Sequence, residues 1–287
     1  MMDKNQLAQK YRQIKEVYDG DLFTRNQIFH EYLQKGVEIN YFDGKEQRSN
    51  RFRLLDFDNP DRNDFLVVNQ WTIVENENRR PDLVLFVNGM PLVVFELKSP
   101  SRENVDTSDA YGQIQRYLKE IPSFFVPNVF VVLSDMADTR VGTITAPEDR
   151  FVQWKSADGS CSSDRYRTML DGMCAKDQLL DIIKNFVCFD ISEKGKIKML
   201  GGYHQYFAVH KAVESAINAM QGNGKAGVFW HTQGSGKSLS MVFFTHLLYQ
   251  QQNGTTFVVV TDRNDLDDQL YGQFSRCHQF LNQIPVQ

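Results

Sequence analysis

The chain has 287 residues, of which 41% are apolar and 24% charged, and carries a formal net charge of −4 with a pI near 5.9. This composition excludes disorder at scale and a dedicated basic DNA-coating protein, and the length allows more than one core. No run reaches the length of a membrane span, Met1 to Gln6 opens no apolar signal region, and Cys161, Cys174, Cys188 and Cys277 lack paired metal spacing, so reduced thiols in a cytoplasm are expected.

In chain order, residues 4–18 and 24–35 are predicted to form two polar amphipathic helices, followed by a charged connection and a strand over 65–74. Between Pro81 and Lys98 the pattern sharpens. Apolar runs Leu83 to Val87 and Met90 to Phe95 flank Asn88-Gly89, a strong hairpin signal, and Asp82, Glu96 and Lys98 stand at the open end. The strand period of two puts Glu96 and Lys98 on one face and Leu97 on the other.

Whether Asp82 shares that face is a question of parity. Facing positions in an antiparallel hairpin add to a constant. A plain two-residue loop pairing Val87 with Met90 makes that constant odd, whereas Asp82 opposite Glu96 needs it even. An odd loop or a bulge is therefore required. Two loop forms are expected: Val87-Asn88-Gly89 as a type I turn closed by a left-handed Gly89, or a three-residue Asn88-Gly89-Met90 loop.

Carboxylates about 5 Å apart across a strand pair repel unless a cation lies between them. Mg2+, bound through oxygens at about 2.0–2.1 Å, meets that need. It would polarise a scissile phosphate and acidify a bound water, while the Lys98 amine orients that water or offsets charge growing on the phosphate. On these residues alone, a hairpin with ordinary charged ends is the plainer alternative.

Ser108-Asp109 suits the N-cap of a helix over 110–120, in which Gln113 and Tyr117 lie one turn apart on one face. Pro81-Asp82, Glu96-Leu97-Lys98 and Gln113-Ile114-Gln115-Arg116-Tyr117 together resemble the PD-(D/E)xK nuclease core with the Gln-x-x-x-Tyr motif of nucleases fused to DNA motors. The resemblance implies that Asp82, Glu96 and the Leu97 backbone carbonyl bind Mg2+, that Lys98 serves the attacking water, and that Gln113 and Tyr117 position the DNA or the metal site. Without it, Tyr117 is a core aromatic and Gln113 a solvated amide. Arg79, Arg80, Arg102, Arg116 and Lys119 flank the hairpin as candidate phosphate contacts, each also readable as solvated surface charge.

Strands over 129–133 and 141–145 are expected to complete a mixed sheet with helices on its faces. Gly159 to Ser163 reads as a linker, and 176–187 as a helix burying Leu179, Leu180, Ile183 and Phe186. Farther on, an apolar strand ending at Trp230, the loop His231-Thr232-Gln233-Gly234-Ser235-Gly236-Lys237-Ser238 and a helix over 239–250 form the context of a P-loop. Its glycines free backbone N–H groups for phosphate, Lys237 can reach the outer phosphates, and Ser238 can ligate Mg2+. His231 stands where the usual pattern has its first glycine.

Flanking strings narrow the class. Gly202-Tyr203-His204-Gln205 lies where superfamily 2 helicases carry an adenine-reading glutamine, and Thr261 to Gln269 resembles helicase motif Ia of type I restriction motor subunits, with Phe151 to Lys155 also similar to that family. In type III restriction subunits and recombination-type helicase-nucleases, by contrast, the nuclease follows the motor. The resemblance implies an α/β chain: a PD-(D/E)xK nuclease domain over 1–200, with 156–200 as helical appendage or linker, then a RecA-like lobe over 201–287 with parallel strands at 226–230 and 256–260. It implies ATP binding by Gln205, Gly234, Ser235, Gly236, Lys237 and Ser238. It also implies Mg2+-dependent cutting of unmethylated double-stranded DNA after ATP-driven translocation, methyltransferase and specificity subunits as partners, no membrane, and a prokaryotic cytoplasm. No acidic DEAH-like string follows Lys237, so an amino-terminal fragment not competent for ATP hydrolysis is expected. The alternatives are an ATP-dependent DNA-repair nuclease-helicase and a non-catalytic docking scaffold.

Overall fold

A computed structural model describes residues 20–42, 45–99, 107–135, 137–160, 164–192, 195–252, 255–277 and 280. The chain divides into two compact units, 1–153 with 164–184, and 154–163 with 185–287. The expected helix over 4–18, Arg102 and Cys161 lie outside the described residues.

The first unit opens with helix α1, Leu22–Lys35, whose N-cap Asp21 accepts the Thr24 N–H at 2.9 Å. Buried Asn26 ties it down by donating to the carbonyls of Val126 and Asn128, both at 2.8 Å. The expected charged connection is instead an antiparallel ribbon of β1, Val37–Phe42, and β2, Gln47–Phe52. Val37 and Ile39 alternate inward, whereas all of β2 is exposed.

The strand expected over 65–74 breaks at Gln70, whose φ of 50° is left-handed. It leaves β3, Phe65–Asn69, and a two-residue β4, Ile73–Val74, which pairs with β5, Asn78–Arg79. The hairpin strands are β6, Leu83–Val87, and β7, Met90–Leu97. Helix α2, Thr107–Glu120, then leads to β8, Phe130–Ser134, and β9, Thr139–Gly142. These strands form one five-stranded sheet in the order β3-β6-β7-β8-β9. Only the β7–β8 pairing is parallel, so the sheet is mixed.

The central strands are buried because they are apolar throughout, and α2 covers one face with Ala110, Ile114 and Tyr117 at helical spacing, followed by Ile121 just past its end, against Val94, Val131 and Leu133. Ser108 and Asp109 do not cap this helix: buried Thr107 is already helical, and Asp109 lies in the first turn, where its charge suits the helix dipole. Helix α3, Arg165–Met169, runs into a π turn over Leu170–Cys174, and α4, Lys176–Asn185, follows with Leu179, Leu180 and Ile183 buried.

In the second unit β10, Val187–Ser192, and β11, Gly195–Leu200, form an antiparallel hairpin within the 156–200 stretch expected as helical appendage or linker, beginning where the helix expected over 176–187 ends. Helices α5, Tyr203–Met220, α6, Lys237–Gln251, and α7, Asn264–Arg276, complete the described elements. The two parallel strands expected at 226–230 and 256–260 are not formed among the described residues: both segments are irregular there, and Gly227 takes a positive φ of 104°. Val228, Val258 and Val260 are 94%, 82% and 87% exposed. Strands of a parallel sheet are covered on both faces, whereas Val228, Val258 and Val260 stand open to solvent.

Candidate functional site

The hairpin resolves its parity by a route that neither expected loop used. Asn88 (φ 50°) and Gly89 (φ 76°) form a two-residue turn between Val87 and Met90. The register then shifts between Leu85 and Phe86: Phe86 faces Pro91, but Leu85 faces Val93, leaving Leu92 as a bulge. Leu83 opposite Phe95 continues the shifted register, which sets Asp82 against Glu96.

The tight turn wins because its Asn88 is anchored from several sides. The Asn88 side chain donates to Leu54 O at 2.9 Å and to Asn63 Oδ1 at 3.0 Å, and accepts the Asp64 N–H at 2.8 Å. The bulge is accommodated too. Pro91, which lacks an N–H, precedes the β8 pairing that begins at Val93, and the bulged Leu92 carbonyl accepts the Val129 N–H at 2.7 Å.

At the open end, Asp82 Oδ2 accepts the Leu97 N–H at 2.8 Å and Asp82 Oδ1 the Gln70 amide at 2.9 Å. Lys98 Nζ donates to Glu96 Oε1 at 2.7 Å. Glu96 is buried, and its Oε2 accepts no hydrogen bond. Burial raises the Glu96 pKa; Lys98 opposes this and the Asp82 charge adds to it. Tyr117 is buried on α2 with its hydroxyl donating to Arg80 O at 3.3 Å. Burial, then the nearby Glu96 charge, pushes its pKa up to about 12. Gln113 stands beside it and accepts a hydrogen bond from Arg116. Asp82, Glu96, Lys98, Gln113 and Tyr117 are thus neighbours through direct bonds or mutual electrostatics.

The donor chemistry fits a hard cation. A buried carboxylate oxygen without a hydrogen bond, next to a second carboxylate, is an arrangement that a divalent ion completes. Among the described residues no three His, Cys, Asp or Glu side chains cluster as a metal site. Two carboxylates suffice for Mg2+, which keeps several of its waters. Of the flanking cations, Arg79 is held by Glu120, with Nη2 to Oε1 at 2.8 Å, so it braces α2. Arg80 and Lys119 are exposed.

The second unit builds its loop around two left-handed glycines, Gly234 (φ 79°) and Gly236 (φ 78°), ahead of α6. A side chain at Gly236 would be strained by the left-handed φ, and its Cβ, 2.8 Å from the Gln205 amide nitrogen, would displace that amide. Gln205, 5% exposed, accepts the Gly202 N–H at 2.9 Å and donates to Gly236 O at 3.1 Å. His204 Nε2 lies 3.0 Å from Ser235 O, a contact that no motif in the sequence signals. Lys237 Nζ folds back onto the carbonyls of His231 at 3.0 Å and Thr232 at 2.9 Å. Burial, then the His204 and Lys237 charges, lowers the His231 pKa. Beside the loop is a cavity of 520 Å³ lined by Lys237, Ser238, Met241, Thr261, Asp262 and Gln269, a volume typical of ligand pockets. In the motif Ia-like string Arg263, at the N-cap position of α7, forms an ion pair with Asp265 in the first turn at 3.0 and 2.6 Å.

Gln70 was missed by the sequence reading. It lies outside every motif, and only the break after β3 brings its amide to Asp82.

Comparison with known proteins agrees with this layout. Residues 2–150 match the family model described as "Type I restriction enzyme R protein N terminus", and residues 204–286 match "SWI2/SNF2 ATPase". The chain is 43% identical over 281 residues to the type I restriction enzyme HindI endonuclease subunit of Haemophilus influenzae, covering 93% of this chain and 27% of that protein. It is 32% identical over 296 residues to a Methanocaldococcus jannaschii protein named "Putative type I restriction enzyme MjaIXP endonuclease subunit", covering 92% of this chain and 28% of that one. The chain therefore spans about a quarter of the length of these relatives. No helix among the described residues is long and apolar enough to cross a membrane. With its mixed nuclease-type sheet followed by P-loop helices, the chain belongs to the type I restriction enzyme R protein N-terminus family.

Proposed function

We propose that this chain is the nuclease-bearing part of a type I restriction endonuclease subunit, cutting unmethylated double-stranded DNA with Mg2+ while the P-loop unit contributes to an ATP-driven translocase. The observation that carries the reading is the bulged register that turns Asp82 toward Glu96, together with a buried Glu96 oxygen that accepts no hydrogen bond. Asp82, Glu96 and the Leu97 carbonyl would hold Mg2+, which when bound polarises the scissile phosphate and acidifies its water.

The chain's own groups do the rest. Lys98, held by Glu96 at 2.7 Å, orients the attacking water and offsets charge on the phosphate. Tyr117 and Gln113 wall the site from α2 and position it against the DNA. In the second unit, Gly234, Ser235 and Gly236 offer backbone N–H groups to the nucleotide phosphates, Lys237 leaves its loop carbonyls for the outer phosphates, and Ser238 faces the accompanying Mg2+. Gln205 acts on the nucleotide from its brace on Gly236.

The functional boundary lies near residue 200, with 1–200 serving cleavage and 201–287 beginning the motor. By likeness to type I restriction enzyme subunits, methyltransferase and specificity subunits supply site choice, in the cytoplasm of a prokaryote. Asp82→Ala and Lys98→Ala in the full-length subunit, assembled with its partners, should each abolish Mg2+-dependent cleavage and leave ATP turnover intact. Normal cleavage by both variants would refute the nuclease assignment.

A further inference from the structure

We infer, building on that nuclease reading, that Gln70 is a positioning residue for Asp82, its side-chain amide fixing the plane in which the carboxylate faces a divalent ion. Gln70 follows the last residue of β3, Asn69, which faces Leu83, so the segment is delivered beside Asp82 by the sheet register itself. Its backbone N–H donates to Asp82 O at 3.1 Å and its Nε2 to Asp82 Oδ1 at 2.9 Å. Leu97 N–H occupies Oδ2 from the opposite strand at 2.8 Å. Each Asp82 oxygen therefore holds one N–H and keeps a further acceptor position for a cation.

The terminal torsion of an aspartate is broad, so one hydrogen bond leaves the carboxylate free to pivot and two set its plane. The conformation that achieves this is unfavourable. Among the described residues, Gln70 and Asn88 are the only non-glycines at positive φ, and a glutamine gains nothing locally from that region. Such strain persists where the surroundings over-determine it, and it gathers at functional sites. Here the Trp71 ring, packed edge-on against Phe86 at 5.6 Å, holds the next residue in place. The amide also suits its partner: it donates without adding charge beside two carboxylates.

The test uses the full-length subunit with Gln70→Ala and Gln70→Gly. The glycine variant deletes the amide while favouring the positive φ, so it retains the fold even where alanine does not. Mn2+ binding is followed by electron paramagnetic resonance without nucleotide or DNA, and the Mg2+ requirement for cleavage is measured in the assembled enzyme with ATP turnover read in the same mixture. Gln70→Gly should weaken Mn2+ binding about 10- to 100-fold and raise the Mg2+ needed for half-maximal cleavage by a similar factor, with ATP turnover unmoved. Asp82→Ala runs alongside. If Asp82→Ala loses Mn2+ binding and cleavage while Gln70→Gly matches wild type in both, the positioning role is refuted and the nuclease reading stands. If Asp82→Ala itself binds Mn2+ and cleaves as wild type, the nuclease reading falls, and the role of Gln70 falls with it.

Discussion

Two apolar segments of similar composition, Leu83 to Val87 in the first unit and Thr256 to Val260 in the second, reach opposite ends. Leu83 to Val87 lies between β3 and β7 in the sheet, with Val84 and Val87 fully buried. Thr256 to Val260 is the richer of the two in β-branched residues, yet it pairs with nothing among the described residues and leaves Val258 and Val260 open to solvent. A strand is a relation between segments, and β-propensity expresses fitness for a pleated, half-buried surface only when neighbours supply that surface. A helix closes its own hydrogen bonds, so α6 forms where the adjoining strands do not.

The comparison is broken most forcefully by separating the two chemistries. Lys237→Ala in the full-length subunit should reduce ATP turnover on the order of 10²- to 10³-fold and stop motor-coupled cleavage, while Mn2+ binding at the first site stays at its wild-type level. Loss of Mn2+ binding in that variant would mean that the two sites are not independent.

Stability sharpens the contrast. Ile114 is buried under the sheet, so Ile114→Ala should cost about 2–5 kcal/mol in urea unfolding. Val258→Ala, at an exposed and unpaired position, should change stability by less than about 0.5 kcal/mol. Equal losses would show that the second segment is packed in solution. An effect between these two is expected at Gly142, where a Cβ would meet the Phe151 ring at 2.7 Å. Gly142→Ala should cost about 1–3 kcal/mol by overpacking, read from the same unfolding midpoint.

The smallest effect concerns reactivity. The Cys174 thiol packs on Met169 Sδ at 3.9 Å, and burial pushes its pKa up to about 12. A raised thiol pKa keeps the nucleophilic thiolate scarce below that value, so iodoacetamide at mildly alkaline pH should leave Cys174 unmodified in the folded chain and label it after denaturation. Rapid labelling of the native protein, mapped by mass spectrometry, would contradict the raised pKa of this half-buried thiol.

Much of the first site was legible because its signals are local. Asn88-Gly89 announced a turn, the period of two aligned Glu96 with Lys98, and the even parity demanded by Asp82 required an irregularity somewhere in the hairpin. Its location was not legible. Leu92 bulges because Asn88 is bound by Leu54, Asn63 and Asp64, contacts distant in sequence that hold the turn at two residues. The N-cap assigned to Ser108-Asp109 misplaced the helix start, because a capping residue type also suits the first turn. The P-loop was readable from its glycines and Lys237, but the His204 and Gln205 contacts that brace it run between elements.

By itself, then, the sequence determined the element types where periodicity is strong, the residues that carry charge at the hairpin's open end, and the loop whose glycines must be left-handed, because each depends on neighbours along the chain. Tertiary structure alone decided where the hairpin bulges, that Gln70 reaches Asp82, that a Glu96 oxygen is buried without a hydrogen bond, and that two apolar segments of the second unit form no ladder. Those outcomes depend on which distant groups satisfy a backbone N–H, a carboxylate or a strand edge, and local pattern carries no record of them.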